Sequence, residues 1–408
     1  MKGDTARTDL VVRAMTIIDG KALSEKVLKE IEKEHSELEK KVGRKAGLAV
    51  IIVGENPASQ IYVRNKIRAC EKVGFHSETI RLDENITEEN LLLEIEKLNN
   101  NSNIDGILVQ LPIPKHIDGL KIINAISAEK DVDGFHTTNI GKMMIGDETG
   151  FLPCTPAGVV HMFEEYNINL EGKDVLVIGQ SNIVGKPMTL LLIKKRATVQ
   201  VCNSKTKNLS EKLQKADVVV AAAGSPKLVK ASDVKEDVVV IDVGINRVDG
   251  KLCGDVDFEE VSKKASFITP VPGGVGPMTI AMLIKNTFKS YKQKIINILA
   301  KVGGLDIAGM AGTFLGCAEN RIPIVIDGFI SAIAALVAYK ICPNCRDFMI
   351  ASHLSEEPGM KYIMKELDLE PMLFMNMKLG EGTGAVMMFP VIEGACNITE
   401  VVRKYPDI

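Results

Sequence analysis

The apolar residues of this chain alternate between short continuous runs and longer stretches at helical spacing. Leu48–Val53 and Gly106–Leu111 are runs of strand length, and Glu78–Leu82 lies between them. Residues 58–73 and 88–98 show the three- and four-residue spacing of helices with one apolar face. This βαβα order predicts a parallel sheet that is covered by helices on both faces.

The same alternation starts again after a loop-rich section that begins near Asp131–Gly134 and ends at Pro153–Pro156. A helix is predicted at Ala157–Tyr166 and an apolar one at Met278–Phe288, after which the polar stretch Lys289–Lys294 suggests a boundary. The strands predicted between these helices are Val175–Gly179, Thr198–Cys202, Val218–Ala223 and Val238–Val243. The sequence therefore predicts a second α/β unit.

Residues 302–388 are rich in Gly, Ala and Met, but the α/β alternation continues. Strand-like segments are predicted at Ile324–Ile326, Met349–Ile350 and Met372–Phe374. The apolar stretch Ile322–Tyr339 has about the minimum length of a membrane span. Because it contains proline, aspartate and glycine, a strand, turn and helix are the better interpretation. About 110 residues are few for a complete doubly wound domain.

The overall composition narrows the class of protein. Of 408 residues, 46% are hydrophobic and 25% charged, the net charge is −3, and there is no tryptophan. Lys and Arg are scattered, so we expect neither a nucleic-acid surface nor a membrane partner. The eight cysteines are spread out, which favours reduced thiols and a cytoplasmic location. Cys342 and Cys345 form a C-x-x-C pair, for which a plain loop is favoured over a metal or redox site.

A glycine turn follows the predicted strand at Val175. The sequence runs Gly179-Gln180-Ser181 and reaches Gly185 just before an apolar helix. Strand, glycine turn and helix bring backbone N–H groups and the positive helix end against a phosphate. The spacing differs from G-x-G-x-x-G, so an ordinary strand-to-helix turn stays open as the alternative.

Four polar residues are candidates for chemistry. Tyr62 and Lys66 lie four apart and share a helix face, although a surface pair is the plainer interpretation. Gln110 ends a buried strand, where it is a strand-end cap or the partner of a lysine ammonium. Asp133 could join Asp131 at a metal, or grip a planar pair of N–H groups. We predict no metal site.

Consecutive glycines before a helix mark a second candidate loop. Gly273 and Gly274 lie between Pro272 and Pro277, so the loop is stiff and open to close approach by a ligand. A flexible linker is the alternative.

Seven motifs carry a family resemblance from Met15 to about Gln293: GENPASQIYVRNK, VQLPIP, KDVDGFH, PCTPAGV, IGQSNIVGKP, VIDVGIN and TPVPGGVGPMT. In this order they resemble the bifunctional methylenetetrahydrofolate dehydrogenase/methenyltetrahydrofolate cyclohydrolase family. The resemblance implies oxidation of 5,10-methylenetetrahydrofolate to the methenyl form and hydrolysis of that form to 10-formyltetrahydrofolate. It also implies a homodimer that binds tetrahydrofolate derivatives.

The resemblance further implies a division into domains. Residues 15–157 and 277–294 would form a folate-binding catalytic α/β domain, and residues 158–276 a Rossmann domain. Residues 298–408 would be a partial α/β segment. Residues 1–14 look like an upstream extension.

The site residues implied by the resemblance follow the family motifs. Lys66 would be the catalytic lysine, Tyr62 would pack on the folate, Gln110 would tune the lysine, and Asp133 would hold the pterin. Further substrate contacts would be Ser59, Leu111, Pro272, Gly273, Gly274 and Thr279. Cofactor contacts would be Gly179, Gln180, Ser181, Gly185, Ser204, Lys205 and Ile245.

Two departures from the family pattern affect the choice of cofactor. Many relatives carry arginine at Gln180 and histidine at Asn203. Since Ser204 and Lys205 remain to hold a 2′-phosphate, NADP is favoured, with NAD as the alternative.

The last hundred residues resemble a different family. VGGLDIAGMAG, PIVIDGFISAIAAL, FMIASHLSEEPG and MKLGEGTGAV are similar to the last third of nicotinate-nucleotide–dimethylbenzimidazole phosphoribosyltransferase, from about Ile298 to Thr399. The resemblance implies that Glu381 is a general base, with a solvated loop acid as the alternative. Since the rest of that family's sheet is missing, a remnant, an interaction module or an assembly element is favoured over an independent transferase of cobalamin assembly.

Overall fold

The computed structural model describes residues 15–302, 304–377 and 382–404, and it divides into two compact units, Met1–Tyr291 and Lys292–Ile408. The helices are α1 (Gly20–Val42), α2 (Pro57–Lys72), α3 (Glu88–Asn100), α4 (Gly119–Ala125), α5 (Thr137–Ile145), α6 (Cys154–Glu165), α7 (Gly185–Lys194), α8 (Leu209–Lys215), α9 (Phe258–Val261), α10 (Val275–Val302), α11 (Gly304–Glu319), α12 (Phe329–Ile341), α13 (Met360–Leu367) and α14 (Thr383–Lys404). The strands are β1 (Thr16–Ile17), β2 (Gly47–Val53), β3 (His76–Leu82), β4 (Gly106–Val109), β5 (Asp174–Ile178), β6 (Thr198–Cys202), β7 (Val218–Ala221), β8 (Val239–Asp242), β9 (Asn246–Val248), β10 (Lys251–Cys253), β11 (Phe267–Ile268), β12 (Ile324–Ile326) and β13 (Met349–Ala351).

The first sheet of the larger unit is a parallel sheet with the strand order β3-β2-β4. Every residue of β2 is buried, which explains its unbroken apolar sequence. Helices α2 and α3 connect the three strands. Because all three strands run the same way, the loops after β2 and β4 lie at one edge of the sheet.

The second sheet has six parallel strands in the order β1-β11-β8-β7-β5-β6. Its core is formed by side chains such as Leu176, Val219 and Val240, each almost completely buried. The chain leaves β5 through α7 to β6 on one side, then returns through α8 to β7 on the other. The carboxyl end of β5 is therefore the topological switch point, where α/β sheets bind ligands.

Helix α10 is much longer than the sequence predicts. The prediction ends it at Phe288, but it runs through the polar stretch 289–294 to Val302. Polar side chains on this stretch are buried against specific partners. Ser290 donates to the carbonyl oxygens of Asp105 (2.7 Å) and Glu129 (2.8 Å), and the Tyr291 hydroxyl donates to that of Arg44 (2.9 Å).

The smaller unit contains a two-stranded parallel sheet, β12-β13, packed with α11, α12 and α13 around an apolar core. The strand predicted at Met372–Phe374 is wrong, because the segment forms only a bridge between Leu373 and His353. The apolar stretch 322–339 is divided between β12 and α12. Among the residues that the structure describes, no helix is long and apolar enough to cross a membrane.

Candidate active site

Helix α2 carries the central lysine of the site. Its buried side chains Val63 and Cys70 face the core, and Lys66 lies on the same side, with only 8% of its surface exposed. The Lys66 Nζ donates a hydrogen bond of 2.9 Å to Oε1 of Gln110. Two predicted site residues from separate elements are thus in direct contact.

The Gln110 amide is held in one orientation. Its backbone N–H donates to Ile51 O (2.8 Å), which fixes the residue at the end of β4. Its side-chain Nε2 donates to Leu111 O (2.8 Å), so Oε1 is turned toward Lys66. At this hydrogen bond the lysine therefore meets an amide carbonyl dipole rather than a carboxylate.

Burial lowers the pKa of Lys66, because removal from water disfavours the charged ammonium. The negative charges of Asp133 and Cys154, when ionised, oppose this shift. The lowered pKa favours the neutral amine at neutral pH more than in an ordinary lysine. A lysine of this kind can accept and return a proton.

Asp133 lies in a loop that its neighbour Asp131 holds in shape. The buried Asp131 carboxylate accepts hydrogen bonds from Phe135 N (3.3 Å), His136 N (2.8 Å) and Asn139 Nδ2 (2.8 Å). Asp133 itself is half-buried. Desolvation raises its pKa and the Lys66 charge opposes that rise. The two acids therefore have separate roles, one in the loop and one beside the lysine.

Cys154 is a member of this cluster that the sequence reasoning did not single out. Its thiol is buried, donates to Val132 O (3.3 Å) and also contacts the Asp133 carboxylate. Asn286 of α10 donates to Val132 O (2.8 Å) and Leu152 O (3.0 Å), which ties the loop to α10. Cys154 could have been found from the PCTPAGV motif, which contains it and which carries part of the family resemblance.

Three predicted folate contacts lie on the two elements that supply Lys66 and Gln110. Tyr62 is half-buried one turn before Lys66, and desolvation raises the pKa of its phenol. Ser59 is buried, and its N–H donates to Asn56 Oδ1 (3.2 Å) at the start of α2. Leu111 is half-buried and receives the Gln110 side-chain bond. Their contact with a ligand stays a prediction.

The glycines at 273 and 274 pack against the beginning of α1. Gly273 has a φ of +108°, and a Cβ at Gly274 would lie 2.6 Å from Pro270 O. Gly20 is equally confined, since its Cβ would lie 1.9 Å from Gly274 O. The loop is therefore tightly packed rather than a flexible linker. Pro272 is exposed, and Thr279 in α10 contacts the Thr155 hydroxyl at 3.0 Å.

The glycine turn after β5 is required by its geometry. Gly179 has a φ of +117°, and a Cβ there would lie 2.2 Å from Ala222 O. A Cβ at Gly185 would lie 2.1 Å from Gly179 O. The Ser181 hydroxyl accepts from Val184 N (3.1 Å) and Gly185 N (3.4 Å) at the beginning of α7. This cradle fits the phosphates of a dinucleotide.

Gln180 and Asn203, the two departures from the family pattern, contact each other. Asn203 Nδ2 donates to Gln180 Oε1 (3.2 Å), which joins the loops after β5 and β6. Asn203 Oδ1 accepts from Lys205 N (2.8 Å). Ser204 and Lys205 are exposed, as is Ile245 after β8. The predicted tail base, Glu381, lies outside the described residues.

The fold and the site define a class of protein. A glycine turn at the switch point of a parallel sheet is the arrangement of a dinucleotide-binding domain. A family model described as the NAD(P)-binding domain of tetrahydrofolate dehydrogenase/cyclohydrolase matches residues 153–295, and the catalytic domain of the same family matches residues 18–133. A third model, described as a phosphoribosyltransferase, matches residues 278–407.

Relatives of the whole enzyme match the larger part of the chain. The bifunctional protein FolD of Sulfurihydrogenibium sp. is 56% identical over 285 residues, which are 70% of this chain and 100% of the relative. The crystal structure of FolD from Campylobacter jejuni is 55% identical, covers 69% of this chain and 100% of its own, and has a TM-score of 0.68. The Trypanosoma brucei enzyme, solved with NADP and an inhibitor, is 38% identical over 69% of this chain and 98% of its own, with a TM-score of 0.67. The chain therefore belongs to the tetrahydrofolate dehydrogenase/cyclohydrolase family.

Proposed function

We propose that the chain oxidises 5,10-methylenetetrahydrofolate with NADP and hydrolyses the methenyl product to 10-formyltetrahydrofolate. The observation that carries this proposal is the buried Lys66 amine, hydrogen-bonded to Gln110 beside Asp133. An absorbance assay on the purified chain tests it by following the reduced cofactor and the methenyl product separately. Turnover with NADP is expected, and the absence of turnover with both NADP and NAD would contradict the proposal.

Lys66 would serve the hydrolytic step. The methenyl bridge is cationic, and attack by water requires a group that removes a proton from the water. A neutral amine meets this need, while its ammonium form can return the proton when the ring opens. Arginine could not replace it, because its guanidinium stays protonated.

Asp133 and Tyr62 would orient the folate. A half-buried carboxylate can accept two hydrogen bonds from the planar N–H groups of a pterin. The flat, partly buried ring of Tyr62 offers an apolar face to the same ligand. Ser59, Leu111, Pro272, Gly273, Gly274 and Thr279 are proposed as further folate contacts.

NADP, when bound, would accept the hydride from the methylene carbon. The residues present fit this cofactor, because Gly179 and Gly185 let the turn pack closely at the beginning of α7, and a helix N-terminus favours a phosphate. Lys205 supplies a cation and Ser204 a hydroxyl for the 2′-phosphate. Gln180 and Ile245 are proposed as neutral contacts to the adenosine and nicotinamide portions.

Replacing Gln110 by glutamate should shift the pH dependence of hydrolysis. A carboxylate in place of the amide would stabilise the Lys66 ammonium and raise the lysine pKa. The neutral amine would then appear only at higher pH, so the rising limb of the rate profile should move to higher pH. Hydrolysis rates from pH 6 to 9 measure this shift. A profile that stays in place would contradict the role of Gln110. Gln60→Glu, at a half-buried position of α2 whose side chain accepts from Arg81, is a control that should leave the profile unchanged.

We also propose a cytoplasmic homodimer, as the family resemblance implies. Strand β6 lies at the edge of the six-stranded sheet, and Val201 on it is 37% exposed. An exposed edge offers unpaired backbone groups to a second copy. Light scattering coupled to size exclusion would give the mass of the assembly.

We propose that the C-terminal unit does not catalyse phosphoribosyl transfer by itself. Its described part contains the short sheet β12-β13 and leaves large apolar side chains exposed, among them Leu305 (91%) and Phe374 (74%). A parallel sheet this small offers little of the covered surface on which ligand sites are built. A role as an interaction module is the better interpretation.

Deleting residues 298–408 should leave both folate activities within about twofold of the full chain. The reason is that relatives of about 285 residues are matched over their whole length by the rest of the chain. Steady-state kinetics of both reactions test this prediction. The size of the assembly, measured on the same samples, should change if the tail is an interaction module, and an unchanged size would count against that role.

A further inference from the structure

Two buried carboxylates lie at the carboxyl edge of the six-stranded sheet, outside the lysine cluster. Asp242 ends β8, and Asp255 follows the β9–β10 hairpin; they are 3% and 0% exposed. The Asp255 carboxylate accepts hydrogen bonds from four N–H groups: Ala223 N (2.6 Å), Gly224 N (2.9 Å), Ser225 N (2.8 Å) and Asn246 Nδ2 (2.8 Å). One side chain thereby fixes the loop after β7 and the segment after β8.

The loop that Asp255 fixes borders the glycine turn of the proposed dinucleotide site. Ala222 N donates to Ile178 O (2.8 Å), so the loop begins directly beside the end of β5. Its Ala222 carbonyl oxygen is the atom that excludes a Cβ from Gly179. A displacement of residues 223–225 would therefore alter the wall against which the glycine turn is built.

The Asp242 carboxylate holds the backbone at and next to Asp255 by hydrogen bonds. Asp242 Oδ1 accepts from Asp255 N (2.9 Å) and Gly244 N (3.0 Å), and Oδ2 accepts from Val256 N (2.9 Å). Each carboxylate also packs against a glycine that is close in sequence to the other aspartate, at a distance that leaves no room for a side chain. A Cβ at Gly244 would lie 2.2 Å from the Asp255 carboxylate, and a Cβ at Gly254 would lie 1.8 Å from that of Asp242.

Ionisation of Asp242 is disfavoured in this arrangement. Burial raises the pKa of Asp242 to about 6, and the nearby charge of Asp255 adds to the rise. Buried carboxylates are a weak means of stabilising a fold, since apolar side chains of similar volume often serve as well or better. Their geometry here points instead to a site that needs a defined shape.

We propose that Asp255 is a positioning residue for the dinucleotide cofactor. It would set the loops after β7 and β8 so that their backbone and Ile245 meet the nicotinamide half of the cofactor. The residue would act through these loops and would not touch the cofactor itself. The inference rests on the proposed function, because it requires that a dinucleotide binds at this edge.

The test is Asp255→Asn in the full chain. An amide keeps the size of the side chain but turns an NH2 group toward N–H donors, so at least one pair of bonds is lost. We expect the KM for NADP to rise at least about tenfold, with a smaller change in kcat. Hydrolysis of methenyltetrahydrofolate, assayed without cofactor, should stay unchanged, which a general loss of folding would not allow.

Two further variants complete the experiment. Asp257→Asn removes a nearby carboxylate that pairs with Lys227 on the surface, and its KM should match the wild type. Asn246→Ala removes one of the four donors to Asp255 and should raise the KM about threefold. If Asp255→Asn does not fold, this milder variant tests the positioning role of Asp255 in its place.

The outcomes separate the inference from the proposed function. An unchanged KM in folded Asp255→Asn, an unchanged KM in Asn246→Ala, or a parallel fall of both activities in Asp255→Asn would overturn the positioning role. Calorimetric titration of the wild type with NADP tests the proposed function independently, because an enzyme that binds no NADP would fail before any variant is compared.

Discussion

Replacing Lys66 by methionine should reduce hydrolysis of methenyltetrahydrofolate by about a thousandfold, the contribution expected of a general acid–base group. Methionine fills nearly the same buried volume but carries no amine. Burial already lowers the Lys66 pKa, so removing its charge should cost the fold little. Oxidation of the methylene substrate should fall less, because hydride transfer needs no proton from this position. Rates of both reactions with purified variant measure the difference.

A matched variant exists on the same helix. Lys72 lies in the last turn of α2 and is exposed, so Lys72→Met removes an identical side chain without touching the cluster. Its rates should equal those of the wild type. Hydrolysis that survives Lys66→Met would remove the lysine from the mechanism and leave Asp133, Tyr62 and Cys154 as the titratable side chains of the cluster.

Replacing Gly179 by alanine should have the second largest effect, on the other activity. The added Cβ would lie 2.2 Å from Ala222 O on a backbone with a φ of +117°, so the turn must open. We expect NADP-dependent oxidation to fall by about a hundredfold, which corresponds to roughly 3 kcal/mol of lost transition-state binding. Hydrolysis without cofactor should stay near the wild-type rate.

Gly172 provides the control for backbone strain. It also has a positive φ, +72°, but no atom lies within 4 Å of the Cβ that alanine would add. Gly172→Ala should therefore cost some stability and leave oxidation intact. If the two alanine variants behave alike, the close approach at Gly179 is not what the cofactor requires.

The sequence predicted the inner strands of the two parallel sheets because these strands are buried on both faces. The unbroken apolar run 48–53 could only be a buried element, and the structure places it in β2. Gln110 was expected to need a partner such as a lysine ammonium, and Lys66 donates to it. Segments with mixed polarity were harder. Helix α5 lies in the section that was predicted to be loop-rich, and Met144 and Ile145 on it are exposed.

Other features depend on contacts that no local pattern reveals. The length of α10 rests on Ser290 and Tyr291, whose partners are far away in the sequence. Asp242 and Asp255 are thirteen residues apart and look like ordinary loop acids until the fold buries both. At Met372–Phe374 a local pattern predicted a strand that the fold does not form. An apolar composition alone does not supply a neighbouring strand.

The Cys154 thiol beside the Asp133 carboxylate has a chemical consequence for the enzyme. Burial and the neighbouring Asp133 charge raise the pKa of Cys154 well above its usual value. Only the thiolate reacts readily with alkylating and oxidising agents. Cys154 is therefore held in the thiol form, which reacts slowly with electrophiles and peroxides, and desolvation likewise lowers the pKa of Lys66.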